Sequence, residues 1–188
     1  MWTAVLDSSG PDLEFIGIVM GQRSELKRVL KKLSRGEIHM RAFSRERRAK
    51  TARAFLGIVS RRYSAILISV RTQMKDVLSE LRSRMPFVPS YKLRRLCFKA
   101  LAQILIGIIS QYPITEIIVD AEIEALWRAL GNVRLLRKGA DLLVGLADIL
   151  AWLDNKIAKG EWTLSEKHAL FVKRLNVKNR LRTLVGLG

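Results

Sequence analysis

The stretch WTAVLDSSGPDLEFIGIVM, residues 2–20, decides how this chain is read. An apolar run, Ala4-Val5-Leu6, stops at Asp7. Ser8-Ser9-Gly10-Pro11 is turn chemistry, and Leu13 to Met20 is a second, mostly apolar run. The pattern predicts strands over 2–7 and 13–20, paired as a hairpin. An acid in an apolar setting is costly unless something compensates it. The same arrangement recurs at Asp120, after Ile117-Ile118-Val119, and at Asp148, inside Leu146-Ala147-Asp148-Ile149-Leu150. Where several such acids converge, a divalent metal is the usual compensation.

Working outward, Ser24 is a good N-cap, and Leu26, Val29, Leu30 and Leu33 recur at helical spacing up to Gly36. Further helices are predicted over about 45–61, 73–84, 92–110, 122–130 and 139–158. Strands are predicted over 64–70 and 115–120. Thr163-Leu164-Ser165-Glu166 reads as a capping box opening a last helix to about 175, followed by a loose basic tail. Strands interspersed with helices give an α/β (mixed α+β) class with a mixed sheet covered by helices. The expected organisation is one domain over 1–160, with a basic C-terminal helix and tail over 161–188 packed on it or extending from it.

The charge balance is lopsided. Lys and Arg number 34 against 17 Asp and Glu, a net charge of +17, which points to a polyanionic partner. A heavily charged, thermophile-type surface is the plainer alternative, but both signs would then rise together. A thermophilic source is also suggested by the scarcity of Asn, Gln and Cys beside abundant Arg. The single cysteine, Cys97, excludes an intrachain disulfide and a cysteine zinc cluster, and two histidines are too few for a histidine-rich site. The opening Met1-Trp2-Thr3-Ala4 lacks a basic segment before its apolar run, and the apolar stretch 100–109 is too short to span a bilayer. A cytoplasmic protein without a membrane association is therefore expected.

If the strands ending at Asp7 and Asp120 are neighbours, both acids project from one sheet edge, where α/β sites are usually built. Asp148 and Asp141 are spaced i, i+7 on much the same helix face. Glu37 follows a glycine and precedes an Arg-rich helix. Four acids from distant segments could converge on two Mg²⁺ or Mn²⁺ ions, for which hard oxygen ligands are suited. Such a pair, about 4 Å apart, clamps the attacking and leaving oxygens of a phosphodiester.

These segments resemble a poorly characterised branch of the ribonuclease H-like superfamily. Asp7-Ser8-Ser9-Gly10 is similar to its Asp-x-Ser-Gly opening, and Glu37-Ile38-His39, followed by Phe43-Ser44 and the Arg-rich helix, to its Glu-Leu-His segment. Ile118-Val119-Asp120 is similar to its later strand, and Leu146 to Ala151 to its final Leu-Ala-Asp-Leu-Leu-Ala helix. The resemblance implies a sheet opening with a β-hairpin and flanked by helices. It also implies an Asp-Glu-Asp-Asp site for phosphodiester hydrolysis, carried here by Asp7, Glu37, Asp120 and Asp148. Two departures stand out. Only two early strands are convincing where the family opens with three, and Ala140-Asp141-Leu142-Leu143 fits the last motif almost as well as the segment around Asp148.

Each acid also has a plainer role. Asp7 could cap the turn at Ser8-Ser9, and Asp120 could be the N-cap of the helix after it. Glu37 could pair with Arg41, and Asp148 with a cation such as Lys156. Arg41, Arg45, Arg48, Lys50 and Arg53 form one cationic group; Arg94 and Arg95 belong to a second, and Lys173 and Arg174 to a third. Such groups neutralise phosphates without choosing sequence. Tyr63, Tyr91, Trp127 and Trp162 are candidates to stack bases, with core or surface packing as the default. The expected activity is a Mg²⁺- or Mn²⁺-dependent nuclease, monomeric or homodimeric, acting on RNA in preference to DNA. The rival is a nucleic-acid-binding protein of the same fold that performs no chemistry. A weaker alternative is a protein of membrane surfaces or ribosomes.

Overall fold

The computed structural model describes residues 1–34, 37–62, 65–130, 136–137 and 141–187. Gly36, Tyr63 and the expected helical residues 139–140 lie outside the described residues. Strands β1 (Trp2–Ser9) and β2 (Phe15–Gln22) form the predicted hairpin. Helices α1 (Arg23–Leu33) and α2 (Arg45–Arg62) follow. Then come β3 (Ile66–Arg71), α3 (Met74–Arg84), α4 (Ser90–Ile109), β4 (Glu116–Val119) and α5 (Ala121–Leu130). The chain continues through β5 (Leu136–Arg137), α6 (Val144–Ala158), α7 (Glu166–Ala169), β6 (Val172–Asn176) and α8 (Lys178–Leu184).

The strands form one mixed, six-stranded sheet in the order β5-β4-β1-β2-β3-β6. β2 is antiparallel to both its neighbours, while β4 runs parallel to β1, β5 to β4 and β6 to β3. The fold is therefore mixed α/β, with a hairpin-opened sheet flanked by helices. Its opening is three-stranded and antiparallel after all. The third strand is the one expected over 64–70; its place beside β2 is hidden because α1 and α2 intervene in sequence.

Both faces of the sheet are covered, which is why β1 and β2 read as unbroken apolar runs. Ala4, Leu6, Ile16 and Ile18 face a core built with α3, α4, α5 and α8. Val5, Val19 and Ile118 face a second core built with α1, α2 and α6. By the two-residue alternation of a strand, Asp7, Gly17 and Asp120 lie on the α6 side. Gly17 is needed there. A Cβ on it would stand 2.2 Å from the Ala147 carbonyl oxygen and 2.8 Å from the Ala151 nitrogen, so α6 rests directly on the β2 backbone.

The C-terminal expectations need correction. Ser165, not Thr163, precedes α7, its side chain makes no capping bond to the backbone, and its Oγ lies 3.1 Å from His168 Nδ1. The helix expected to reach about 175 lasts four residues and gives way to β6. Pairing with β3 satisfies the backbone groups that edge would otherwise leave open, and Val172 enters the α6-side core. The tail is held too, because Leu181, Val185 and Leu187 are buried in the opposite core. The expected N-cap Ser24 lies inside α1, which begins at Arg23.

Candidate metal and nucleic-acid site

Asp7 lies two residues before the end of β1, which runs on to Ser9 beyond the expected 2–7, and Asp120 directly follows β4, the parallel neighbour of β1. Leu6 is opposite Val119, and the Asp120 N–H donates to the Leu6 carbonyl at 3.2 Å. Their carboxyl groups lie within hydrogen-bonding reach of one another. Asp7 is buried, with one oxygen accepting from the Ser8 N–H at 2.6 Å. Burial, then the charges of Asp120 and Asp148, push it from 3.8 up to about 9. Two carboxyl groups this close hold a proton between them at neutral pH unless a cation takes its place. Asp120 is at the same time the N-cap of α5, its Oδ1 accepting from the Ile123 N–H at 2.9 Å. The expected N-cap role is thus observed, and it leaves the carboxyl group within reach of Asp7.

Asp148 projects from α6, which Gly17 lets down onto the sheet opposite Asp7. It is 5% exposed, and its Oδ2 accepts from the Met40 N–H at 2.7 Å, with His39 Nδ1 3.4 Å away. Burial raises its pKa, while the Met40 bond, His39 and Arg41 pull it back. Its partners are therefore the segment 38–41, and not the expected Lys156, which pairs with Glu161 at 2.6 Å. That segment is set by a second close approach: a Cβ on Gly145 would stand 2.7 Å from both Cβ and O of Ile38. Glu37, one residue earlier, is exposed.

The structure does not bring Asp141 to this site. It pairs with Arg23, which also grips Glu116 at the start of β4, and its Oδ1 accepts from the Leu143 N–H at 3.0 Å. These groups mark the end of the sheet opposite Asp7 and Asp120, so Asp141 is a structural acid. The four-acid convergence is not complete either. Among the described residues, no three acids, histidines or cysteines stand close enough to hold one ion together. What the structure assembles is a close pair, Asp7 and Asp120, with the charge of Asp148 felt by it and Glu37 at the rim of the same segment. The donors are all carboxylate oxygens, and the approach of Asp7 to Asp120 is one that a cation between them would relieve. In chemistry the set fits Mg²⁺ or Mn²⁺.

A cavity of about 680 Å³ opens past the end of β1, lined among others by Ser9, Arg41, Arg48, Arg94, Asn155 and Lys156. Asn155 Nδ2 donates to Ser9 Oγ at 3.1 Å, while its Oδ1 is buried without a partner among the described residues. Two further concavities continue this one. The first, about 470 Å³, shares Arg48, Trp152 and Lys156 with it and adds Arg45, Arg53 and Trp162. The second, about 380 Å³, shares Arg94, Phe98 and Ala125 and adds Tyr91, Arg95 and Arg128. Together they form a cationic groove that opens past Ser9 at the end of β1, and Asp7, Asp120 and Asp148 do not line it. Of the candidate cations, Lys50 is exposed on α2 and lines none of the three. Lys173 and Arg174 lie on the far edge strand β6, where Arg174 is engaged at 2.6 Å with the buried Asp154.

No family model matches the chain, and no curated protein matches it. Solved structures similar to it include two of Bst-RNase HIII. One, of a mutant protein, has TM-score 0.47 and 16% identity over 84% of this chain and 55% of that one. The other, a complex with Mn²⁺, has TM-score 0.46 and 14% identity over 85% of this chain and 56% of that one. The chain thus spans about half the length of each. Likeness at these scores carries no argument, and the site rests on its own geometry. Among the described residues no helix is long and apolar enough to cross a membrane.

Sequence reasoning missed Gly17, Gly145, Asn155 and Trp152. The two glycines carry no chemical signature, and only the helix seated against them reveals their role. Trp127, a candidate for base stacking, is instead 1% exposed in the core.

Proposed function

We propose that this protein is a divalent-metal-dependent nuclease of ribonuclease H-like fold that hydrolyses phosphodiester bonds. The observation that carries the reading is the Asp7–Asp120 pair, two carboxyl groups in mutual reach toward the carboxyl ends of parallel strands, with a cationic groove opening at Ser9, two residues beyond Asp7. Asp7 and Asp120 would hold Mg²⁺ or Mn²⁺ most directly, with Asp148 and Glu37 completing the set. A divalent ion there supplies neutralisation of phosphate oxygens and activation of water. The chain's own residues do the rest. Arg41, Arg48, Arg94 and Lys156 hold the phosphate backbone in the groove, and Arg45, Arg53 and Arg95 extend the grip at its two ends. The Met40 N–H and His39 orient Asp148 toward the α6 side of the sheet. RNA is the expected substrate in preference to DNA.

The test is incubation with labelled RNA, DNA and hybrid substrates, with and without Mn²⁺, beside the Asp7→Asn protein. Cleavage that needs Mn²⁺, stops with EDTA and vanishes in the variant supports the reading. A variant that cuts as fast as the parent refutes it. One observation favours a second reading, binding without chemistry: no three acids stand together among the described residues. Steeply salt-dependent binding with no cleavage of any substrate would establish that reading instead.

A further inference from the structure

The α4 end of the groove carries a feature that phosphate binding does not call for. Tyr91, Arg94, Arg95 and Phe98 are spaced i, i+3, i+4, i+7 on α4, so they share one side of the helix. With Arg128 they line the smallest of the three concavities, where Arg94 pairs with Asp12 at 3.3 Å and Arg128 with Glu124 at 2.9 Å. Tyr91 is 68% exposed, and Phe87, four residues earlier between Pro86 and Pro89, is 97% exposed. The Arg94 guanidinium lies 5.2 Å over the Phe98 ring. Arg95 has no ion-pair partner among the described residues. Two aromatic rings left in water have no folding rationale, because each forfeits the burial that makes aromatics stabilising.

We infer that this end of the groove is a base-stacking platform, and that the substrate class of the site is single-stranded nucleic acid. Exposed rings interleaved with arginines are what an unpaired strand needs, its bases lying on aromatic faces while the cations follow its phosphates. A duplex keeps its bases stacked on each other and offers these rings nothing. At the opposite end, Arg53 lies 5.3 Å over the Trp162 ring, which meets Trp152 edge-on at 5.8 Å. Ring and cation are thus paired at both ends of the groove. The inference rests on the nucleic-acid reading above and specifies the state of the strand.

The test is fluorescence anisotropy in EDTA at fixed ionic strength. Three labelled probes are compared: an oligothymidylate, the same oligomer paired to its complement, and an abasic strand of equal length. The parent should bind the oligothymidylate more tightly than the duplex. Tyr91→Ala should weaken oligothymidylate binding roughly 5- to 100-fold, the range for one lost stack, and leave the abasic strand nearly unchanged. Phe87→Ala should act in the same direction, and Arg95→Ala should weaken all three probes. Tyr91 is exposed, so its variant should melt with the parent; the Phe87 variant gives an independent second reading if it does not. The inference is overturned by equal affinity of the parent for duplex and single strand, by unchanged binding in both aromatic variants, or by equal losses on the abasic strand. No cleavage is scored, so an inactive protein leaves this result intact. Conversely, a protein that cuts duplexes as readily as single strands, with Tyr91→Ala unaffected, refutes the platform and keeps the nuclease.

Discussion

Replacing Asp7 by Asn should stabilise the metal-free protein, most of all at alkaline pH. Asp7 ionises at about 9 in the fold against an ordinary 3.8. Between those values the folded chain holds a proton that the unfolded chain has released. Its contribution is therefore fully present below 3.8, is lost as pH rises, and is exhausted near 9. Each pH unit costs about 1.4 kcal/mol, so between pH 5 and 8 the loss is on the order of 4 kcal/mol. For a chain of this size that is roughly 8–16 °C in melting temperature. The asparagine side chain does not titrate and can donate to Asp120, which removes this slope. Asp148, also raised by burial, leaves a smaller slope of the same sign in both proteins. The assay is thermal melting in EDTA across that range. The parent should lose stability steadily while the variant stays nearly level and melts higher at pH 8. A flat parent profile, or two parallel ones, would refute the buried, proton-sharing pair.

Other outcomes follow from the same geometry. Asp148→Asn should abolish metal-dependent cleavage, whereas Asp141→Asn should leave cleavage intact and only lower stability, since it loosens Arg23 at the far end of the sheet; assaying both on one substrate separates the two acids. Gly17→Ala should cost about 1–3 kcal/mol by overpacking, read by urea unfolding, and should weaken Mn²⁺ binding, because α6 must lift off β2. Arg48→Ala and Lys156→Ala should each reduce the slope of log affinity against log salt by about 1, whereas Lys173→Ala, on the far edge, should leave it unchanged.

Much of this was readable in the sequence because one signal dominated. Strands buried on both faces cannot hide: β1, β2 and β4 are unbroken apolar runs, and an acid at the end of two of them announces an edge. The register of β1 against β4 then puts Asp7 and Asp120 side by side. What the sequence did not show depends on contacts made far along the chain. β6, Val-Lys-Arg-Leu-Asn, is a strand only because β3 offers it an open edge. Asp141 and Asp148 cannot be told apart at i, i+7 spacing, since the distinction lies in where α6 begins: Val144 puts Asp141 in the turn before it, within reach of Arg23. Asp120 resisted a single reading because capping and pairing are compatible, one oxygen capping α5 while the carboxyl group still meets Asp7.

The nuclease reading requires that Asp7 and Asp120 bind one divalent ion between them. Anomalous scattering from crystals grown with Mn²⁺ tests this directly. A peak within coordination distance of both carboxylates, absent from crystals of the Asp7→Asn protein, is the predicted result. Full Mn²⁺ occupancy elsewhere, with the two carboxyl groups still bonded to each other, would contradict it.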